Sequence, residues 1–144
     1  MRGNSNKLRR NGERGSAVVE FAAAFTMLFM FLFAIMDLSR AAYSYHFVAD
    51  AAREGTRYAM VRGSSCTSWP TACPAAASDI QTYLKNVPAG INPQNLTVTT
   101  TWTPNNNPGS LVQVQVQYSF QPIFPLVPKG ALVMTSSSEV VISQ

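Results

Sequence analysis

The stretch RGSAVVEFAAAFTMLFMFLFAIMD, residues 14–37, decides the fold of the first part of this 144-residue chain. Within it, residues 17–36 carry a single charged side chain, that of Glu20. A helix of this length spans about 30 Å, which is the thickness of the hydrocarbon core of a bilayer. The sequence therefore predicts one membrane-spanning helix over residues 17–36. Because a carboxylate inside such a helix costs about 2.5–3.5 kcal/mol, Glu20 is a candidate functional residue.

The positive charge of the chain is concentrated before the apolar stretch. The formal net charge is +4, and five basic residues but only one acidic residue, Glu13, precede Ser16. The rest of the chain carries six basic and six acidic residues and is formally neutral. Basic residues beside an apolar span hold that end in the cytoplasm, so residues 1–15 are predicted to be a cytoplasmic leader and the far end to be exported. The alternative is a nucleic-acid-binding arm, which fits poorly beside a membrane span, and no nucleic-acid partner is expected.

A second helical pattern follows the apolar stretch without a break. Small and apolar residues recur at helical spacing over residues 38–60, and no proline occurs in residues 16–62. We therefore predict one continuous helix over residues 16–62, of which residues 37–62 form an exported, amphipathic half. Gly55 lies inside this half. It is either a tolerated weak point, costing about 1 kcal/mol relative to alanine, or a place where a neighbouring element approaches closely.

The remainder, residues 63–144, is predicted to be a small exported α+β domain. A short helix is predicted over Ser78–Val87, with Ser78 as its N-cap. Three strand patterns follow, at Asn95–Trp102, Leu111–Phe120 and Ala131–Ser143. The fold class is therefore α+β, with a small antiparallel β-sheet laid against the outer half of a long N-terminal helix.

Two cysteines, Cys66 and Cys73, lie in the segment CTSWPTAC. In an exported domain they favour a disulfide bond, which for so short a loop adds about 2–3 kcal/mol of stability; the alternative is two buried free thiols. Two cysteines are too few ligands for a zinc site, and the single histidine, His46, lies on a different element. We therefore expect no metal. No catalytic constellation or cofactor-binding loop is visible in the sequence, so no enzymatic activity, cofactor or small-molecule substrate is expected.

An ordinary cleaved signal peptide shares the basic start and the apolar core of this N-terminus. Here the apolar stretch is longer than a signal core of about 7–15 residues, and it contains Glu20. No good cleavage site for a signal peptidase directly follows the stretch, and the Ala41-Ala42 pair further on comes after Arg40. The sequence therefore favours an anchor that stays on the protein.

The segment RGSAVVEF, residues 14–21, resembles the processing motif of type IV pilin-like proteins. In that class a prepilin peptidase cuts after a glycine on the cytoplasmic side, and the apolar helix stays on the mature protein. A glutamate is the fifth residue from the new N-terminus. The resemblance implies a cut between Gly15 and Ser16, which makes Glu20 the fifth residue. Over residues 15–59, which end in AAREGTRYA, the chain is similar to the TadE-like pseudopilins of the tight-adherence (Tad) pilus systems. The resemblance does not distinguish TadE from its close relative TadF.

The resemblance implies a role in assembly for Glu20 and for the residues around it. The carboxylate of Glu20 would pair with the N-terminal amine of Ser16 on a neighbouring subunit, with Phe21 beside it. Two charges that are each costly in lipid offset each other's desolvation when they pair. The alternative is that the Glu20 side chain extends to the cytoplasmic interface.

The resemblance also implies partners and a location. The partners are the membrane, the prepilin peptidase, other pilin or pseudopilin subunits and the inner-membrane platform that assembles the pilus. The location is the bacterial inner membrane, crossed once with a cytoplasmic N-terminus and a periplasmic C-terminal domain, or the extracellular pilus itself.

The expected function is that of a pseudopilin or minor pilin in the assembly of a Tad-type adhesion pilus. Two other classes compete with it. A membrane-anchored envelope enzyme needs convergent titratable groups, of which the exported part offers few. A membrane-tethered binding or adhesion domain that never enters a pilus needs neither peptidase processing nor Glu20.

Overall fold

The computed structural model describes most of the chain, with side chains from residue 15 onward; the described residues are 5–67, 73–87, 90–123 and 132–143. The chain divides into two compact units, Met1–Leu38 and Ser39–Gln144. The predicted three-part division at residues 15 and 62 concerns processing and export, and it stays a prediction.

The first element is a single helix, α1, which runs from Ser5 to Met60. It begins before the predicted start at residue 16, because residues 5–14 contain arginine, lysine and glutamate, which are good helix formers, and no proline. Its end is close to the predicted one, and the Arg62 N–H donates a hydrogen bond to the carbonyl of Ala59 at 3.0 Å.

Large apolar side chains in the first unit are exposed around the whole helix. Between residues 18 and 36 their exposed fractions run from 42% for Phe29 to 73% for Met27. The most apolar 18-residue window of α1 has a mean hydropathy of 2.3, and none of it is buried. By its length and composition α1 is therefore able to cross a membrane once.

The second unit contains a three-stranded antiparallel sheet with the strand order β1-β2-β3. Its strands are β1 (Leu96–Thr103), β2 (Leu111–Phe120) and β3 (Leu132–Val141). In β2 the valines are buried and the glutamines are exposed, as the alternating pattern predicts. Together with α1 and the short helix α2 (Ala77–Lys85), this arrangement confirms the α+β fold class.

The serine cap predicted for α2 is wrong. The N-cap is Ala76, and Ser78 lies inside the first turn. The Asp79 carboxylate accepts a hydrogen bond from the Ala76 N–H at 2.9 Å, so the acidic side chain at the third helical position satisfies a free donor at the helix start. The helix then presents Ile80 and Leu84 to the core, and both side chains are buried.

The core of the second unit lies between the sheet, α2 and one face of α1. The face of α1 is built from small residues, which lets the strands come close to the helix. Among the small and apolar residues that recur at helical spacing over residues 38–60, Tyr45 is 61% exposed, whereas Val48 and Ala52 are buried. The main buried residues are Val48, Ala51, Ala52 and Ala59 of α1, Ile80 and Leu84 of α2, and Val112, Val114 and Val116 of β2.

Gly55 lies at the centre of this packed face. A Cβ atom built on it would stand 2.9 Å from Cγ1 of Val114, 3.0 Å from Cδ1 of Leu84 and 3.6 Å from Cγ2 of Ile80. Real Cβ atoms essentially never come closer than 3.0 Å to such neighbours. Of the two readings of Gly55, the close approach of a neighbouring element is therefore confirmed.

Candidate processing and assembly site

The two residues of the predicted cleavage site lie within the continuous helix α1. Gly15 and Ser16 are both exposed. A Cβ atom built on Gly15 would meet nothing within 4 Å, and its backbone is helical and does not need glycine. Neither packing nor backbone conformation in the described chain therefore accounts for a glycine at position 15.

Glu20 lies one helical turn after Ser16. Their Cα atoms are separated by about 6 Å along the helix axis, at 1.5 Å per residue, and both side chains lie on the same side of the helix. Glu20 is exposed. With the other described residues of its own chain the carboxylate makes no hydrogen bond or ion pair, so it stands open to another molecule.

Phe21, the next residue, is 69% exposed and begins a row of aromatic rings along one face of α1. Its ring centroid lies 5.5 Å from that of Phe25, and the centroid of Phe25 lies 4.6 Å from that of Phe29. The row ends at Phe33, 6.3 Å further on. This face presents a continuous aromatic ridge to lipid or to another helix.

The predicted disulfide is present. Cys66 and Cys73 are bonded to each other, with their Cα atoms 5.7 Å apart, and Cys66 is buried. The alternative of two free thiols is therefore wrong. Trp69 and Pro70, which the sequence places inside this loop, lie outside the described residues.

A polar and aromatic cluster joins the end of α1 to α2, and the sequence did not predict it. The Tyr83 hydroxyl donates a hydrogen bond to the Glu54 carboxylate at 2.9 Å. The ring of Tyr83 stacks on that of Tyr58 at 4.4 Å between centroids, and the Arg62 guanidinium lies 3.7 Å from the centroid of the Tyr58 ring. The hydrogen bond to Glu54, burial and the Glu54 charge together raise the pKa of Tyr83 above 10.0.

Helical spacing offers Glu54 a different partner, the opposite charge of Arg57 on the same helix. Glu54 and Arg57 stand three apart, but Glu54 makes its hydrogen bond to Tyr83 on α2. The pair at Asp50 and Arg53 does form, at 3.3 Å. No local pattern links Glu54 to Tyr83, because the two residues are 29 positions apart in the sequence.

The described residues offer no metal site. They contain no group of three or more histidine, cysteine, aspartate or glutamate side chains that could hold a metal ion. The ring of His46 lies beside that of Tyr45, with 6.0 Å between their centroids.

Comparison with known proteins gives one family match, over the segment that contains the predicted site residues. Residues 15–57 match the family described as TadE-like protein, and this segment contains Gly15, Ser16, Glu20 and Phe21. No curated protein and no solved structure matches the chain. The match covers less than a third of the chain, and it supports a TadE-like protein of a Tad pilus system. Over residues 15–57, then, this chain is similar to TadE-like proteins, as the resemblance of its sequence indicated.

Proposed function

We propose that this chain is a pseudopilin or minor pilin, a structural and non-enzymatic protein that acts in the assembly of a Tad-type adhesion pilus. A prepilin peptidase cuts it between Gly15 and Ser16, and Glu20 then pairs with the amine of Ser16 on a neighbouring subunit. The observation that carries the proposal is the TadE-like segment, which begins at Gly15 and includes the whole apolar span. The disulfide at Cys66 and Cys73 fits an oxidising, exported compartment.

The contrast between two glycines of α1 supports a role for Gly15 outside the fold. Gly55 is needed because Val114 and Leu84 leave no room for a side chain. Gly15 has open space around its Cα, which supports a requirement for glycine that is set by another molecule. A glycine weakens a helix interior by about 1 kcal/mol relative to alanine, which lowers the cost of unwinding this turn for a peptidase.

The pairing of Glu20 follows from the chemistry of the cut. Cleavage turns Ser16 into the new N-terminus of the helix, with a free amine at the positive end of the helix dipole. In lipid the carboxylate of Glu20 and this amine are each costly alone, and they offset each other's cost when paired. A neighbour displaced outward along the helix axis by about 6 Å brings its Ser16 level with Glu20.

The proposed location follows from the position of the basic residues. Residues 1–15 stay in the cytoplasm until the cut, residues 17–36 cross the bacterial inner membrane, and the second unit lies on the periplasmic side. The partners are the membrane, the prepilin peptidase, other pilin or pseudopilin subunits and the inner-membrane assembly platform. The aromatic ridge that begins at Phe21 is the helix face offered to those subunits.

The first experiment measures the intact mass and the N-terminal sequence of the membrane-extracted protein, with and without a co-expressed prepilin peptidase. We expect a start at Ser16 that depends on the peptidase, with the apolar helix retained. The matched control is Gly15→Ala, which fits sterically and should block the cut. A start at Met1 under both conditions would contradict the proposal and favour a membrane-tethered binding domain. A start beyond Asp37 would indicate an ordinary secreted domain.

A second experiment tests the ion pair. The Glu20→Ala variant should be inserted and cut normally but should fail to assemble with other subunits, measured by cross-linking in the membrane and by recovery in sheared pili. Glu20→Asp keeps the charge and should retain part of the assembly. The matched control is Asp50→Asn, which removes an exposed carboxylate from the second unit. Normal assembly of Glu20→Ala would refute the pairing.

A further inference from the structure

The second unit contains a polar cavity of about 460 Å³ at the end of β2. All of its lining residues lie between Arg40 and Ile123, so the cavity belongs to this unit alone. Its volume lies within the range of about 300–1,000 Å³ that is usual for small-molecule sites. The cavity therefore has room for a small ligand, and the chemistry of its lining decides which kind.

Three parts of the fold bring the lining side chains together. α1 supplies Ser44, whose hydroxyl donates a hydrogen bond to the carbonyl of Arg40 at 2.9 Å. A short 3₁₀ helix, Pro93–Asn95, begins after Asn92, whose side-chain oxygen accepts a hydrogen bond from a backbone N–H of that helix at 3.0 Å. The last part of β2 supplies Tyr118. The walls of the cavity are therefore held by the local structure of the chain.

Tyr118 is the lining residue with an unusual environment. Only 5% of it is exposed, and it belongs to the core of the second unit. Its hydroxyl makes no hydrogen bond with any residue that the structure describes, and the hydroxyl oxygen is not fully buried. The oxygen is therefore open to the cavity that Tyr118 lines. Because an unpaired polar group in a largely buried side chain is costly, its partner is a molecule in the cavity, either water or a ligand.

Carboxamides add to this set of available polar groups. Asn95 is half-buried and Gln121 is exposed, and neither side chain makes a hydrogen bond with a described residue. Asn92 uses its side-chain oxygen within the chain, which leaves its amide nitrogen to donate elsewhere. Each carboxamide offers donors and an acceptor, and a phenol hydroxyl likewise both donates and accepts. The cavity therefore presents several groups that can donate and accept at the same time.

The charges around the cavity argue against an ionic ligand. None of the described lining residues carries a carboxylate, so a cation has no partner of opposite charge there. The single cationic group among them is the Arg40 guanidinium, which lies 5.4 Å from the centroid of the Phe120 ring and is engaged with it. A phosphate or sulfate is usually held by several charge-assisted hydrogen bonds. An uncharged ligand therefore suits this lining better than an ion.

The polar groups favour a sugar among uncharged ligands. Sites for apolar ligands are lined mainly by hydrophobic side chains, and peptides are usually held by a strand edge or a helix groove. A sugar ring is compact and carries several hydroxyls, each of which donates and accepts, as the phenol and the carboxamides do. Tyr43 also lines the cavity and is 53% exposed, so its ring offers an apolar surface to the C–H groups of a sugar.

We propose that this cavity is a binding site for an uncharged sugar unit. The Tyr118 hydroxyl and the Asn95 carboxamide are its main hydrogen-bond partners, and the Tyr43 ring lies against the sugar ring. The site uses the second unit only, so it needs neither the cut after Gly15 nor the pairing of Glu20. Only the source of the sugar rests on the proposed function, in which this unit is exported: a glycan strand of the cell wall or a glycan on an outer surface.

The test uses the full chain in a zwitterionic detergent, because a detergent with a sugar headgroup would compete for the site. Binding of glucose, galactose, mannose and N-acetylglucosamine is measured by ligand-observed NMR, followed by titration. We expect at least one of these sugars to bind with a Kd of about 1 mM or below. Inorganic phosphate and a capped alanine peptide are tested in the same way. Binding of either of them in place of a sugar, or of no sugar at all, would overturn the proposal.

Two variants connect binding to the cavity. Tyr118→Phe keeps the ring and removes the hydroxyl, and Asn95→Ala removes the carboxamide. Each should weaken sugar binding about fivefold, which corresponds to the loss of one hydrogen bond. The matched control is Gln115→Ala, which removes a carboxamide from the exposed face of β2 and should bind like the natural protein. Equal weakening in the control, or natural affinity in both variants, would refute the site.

Thermal unfolding separates a ligand site from a structural role of the hydroxyl. Because this hydroxyl has no partner among the described residues, Tyr118→Phe without sugar should keep the Tm of the natural protein or exceed it. Sugar should raise the Tm of the natural protein more than that of the variant, since a ligand that binds only the folded state stabilises it. A lower Tm of the variant without sugar, together with unchanged binding, would assign the hydroxyl to the fold and contradict the proposal.

Co-sedimentation with isolated peptidoglycan distinguishes the two sources. Sedimentation that free N-acetylglucosamine reverses and that Tyr118→Phe weakens would support the sugar site and assign it to the cell-wall glycan. Binding of hexoses without sedimentation would support the site and assign it to a glycan outside the cell. The N-terminus of the extracted protein and the assembly of Glu20→Ala are measured separately, so a failure of sugar binding leaves the proposed function standing.

Discussion

Replacing Gly55 by alanine tests the closest contact in the fold. The added Cβ would lie 2.9 Å from Cγ1 of Val114 and 3.0 Å from Cδ1 of Leu84, and these side chains are 0% and 1% exposed. Because both neighbours are buried, the substitution overpacks the core, which costs about 1–3 kcal/mol. Against this, alanine improves helix propensity by about 1 kcal/mol. The net expectation is a loss of about 1 kcal/mol, and of at most about 2 kcal/mol.

The measurement is thermal unfolding of the full chain in detergent, monitored by near-UV circular dichroism. A loss of 1 kcal/mol lowers the Tm of a domain of about 100 residues by about 4–8 °C. The double variant Gly55→Ala with Val114→Ala removes the clashing methyl group and should be more stable than the sum of the single changes by about 1 kcal/mol. Ala42→Gly, on the exposed side of α1, reports the propensity effect alone. A rise in Tm for Gly55→Ala, or strict additivity with Val114→Ala, would refute the close approach.

Three further substitutions test other parts of the exported unit. Tyr83→Phe removes the hydrogen bond to Glu54 and should cost about 1 kcal/mol in denaturant unfolding at pH 7. The folded state raises the pKa of Tyr83 above 10.0, so the stabilisation by this hydrogen bond is complete at lower pH and is lost as the pH rises through the raised pKa. The difference in free energy of unfolding between the variant and the natural protein should therefore narrow above pH 10. Cys73→Ser opens the bond to Cys66 and should cost about 2–3 kcal/mol, and a reductant should destabilise the natural protein by a similar amount but leave the variant unaffected. Ile80→Ala, at a side chain with 0% exposure, should cost about 2–5 kcal/mol in the same unfolding experiment, and a cost below 1 kcal/mol would contradict its place in the core.

The parts of the fold that the sequence predicts well are those set by a regular repeat. The alternation of valine and glutamine predicts β2 at Leu111–Phe120, the bounds it has in the structure. The apolar run predicts one long helix, because no proline interrupts it. These patterns succeed because the period of a strand or helix is a local property of the backbone.

The parts that the sequence does not predict depend on residues far apart in the chain. The side of α1 that faces the sheet leaves Tyr45 exposed, although the spacing places it in the same stripe as Val48. Glu54 bonds to Tyr83 on α2 where the spacing offers Arg57 as a partner. Helical spacing shows which residues share a face, but only the position of the sheet and α2 decides which of them are covered.

The candidate site does not depend on contacts between distant residues of this chain. A short motif indicates Gly15, Ser16 and Glu20, and nothing in the described chain packs against them. Their proposed use depends on a peptidase and on a second subunit, neither of which a single chain contains. Both therefore stay proposals: the N-terminus of the extracted protein decides the processing, and the assembly of the Glu20→Ala variant decides the pairing.

The TadE-like segment covers both the apolar span and the packed face of α1. The segment runs to residue 57, past the end of the apolar span and through the small-residue face of α1. That face includes Ala51, Ala52 and Gly55, whose size sets how near the sheet lies to the helix. The sheet itself lies beyond the match. The matched segment thus contains a helix that is able to cross a membrane and the close-packed face of α1, whereas the strands that pack on this face lie outside it.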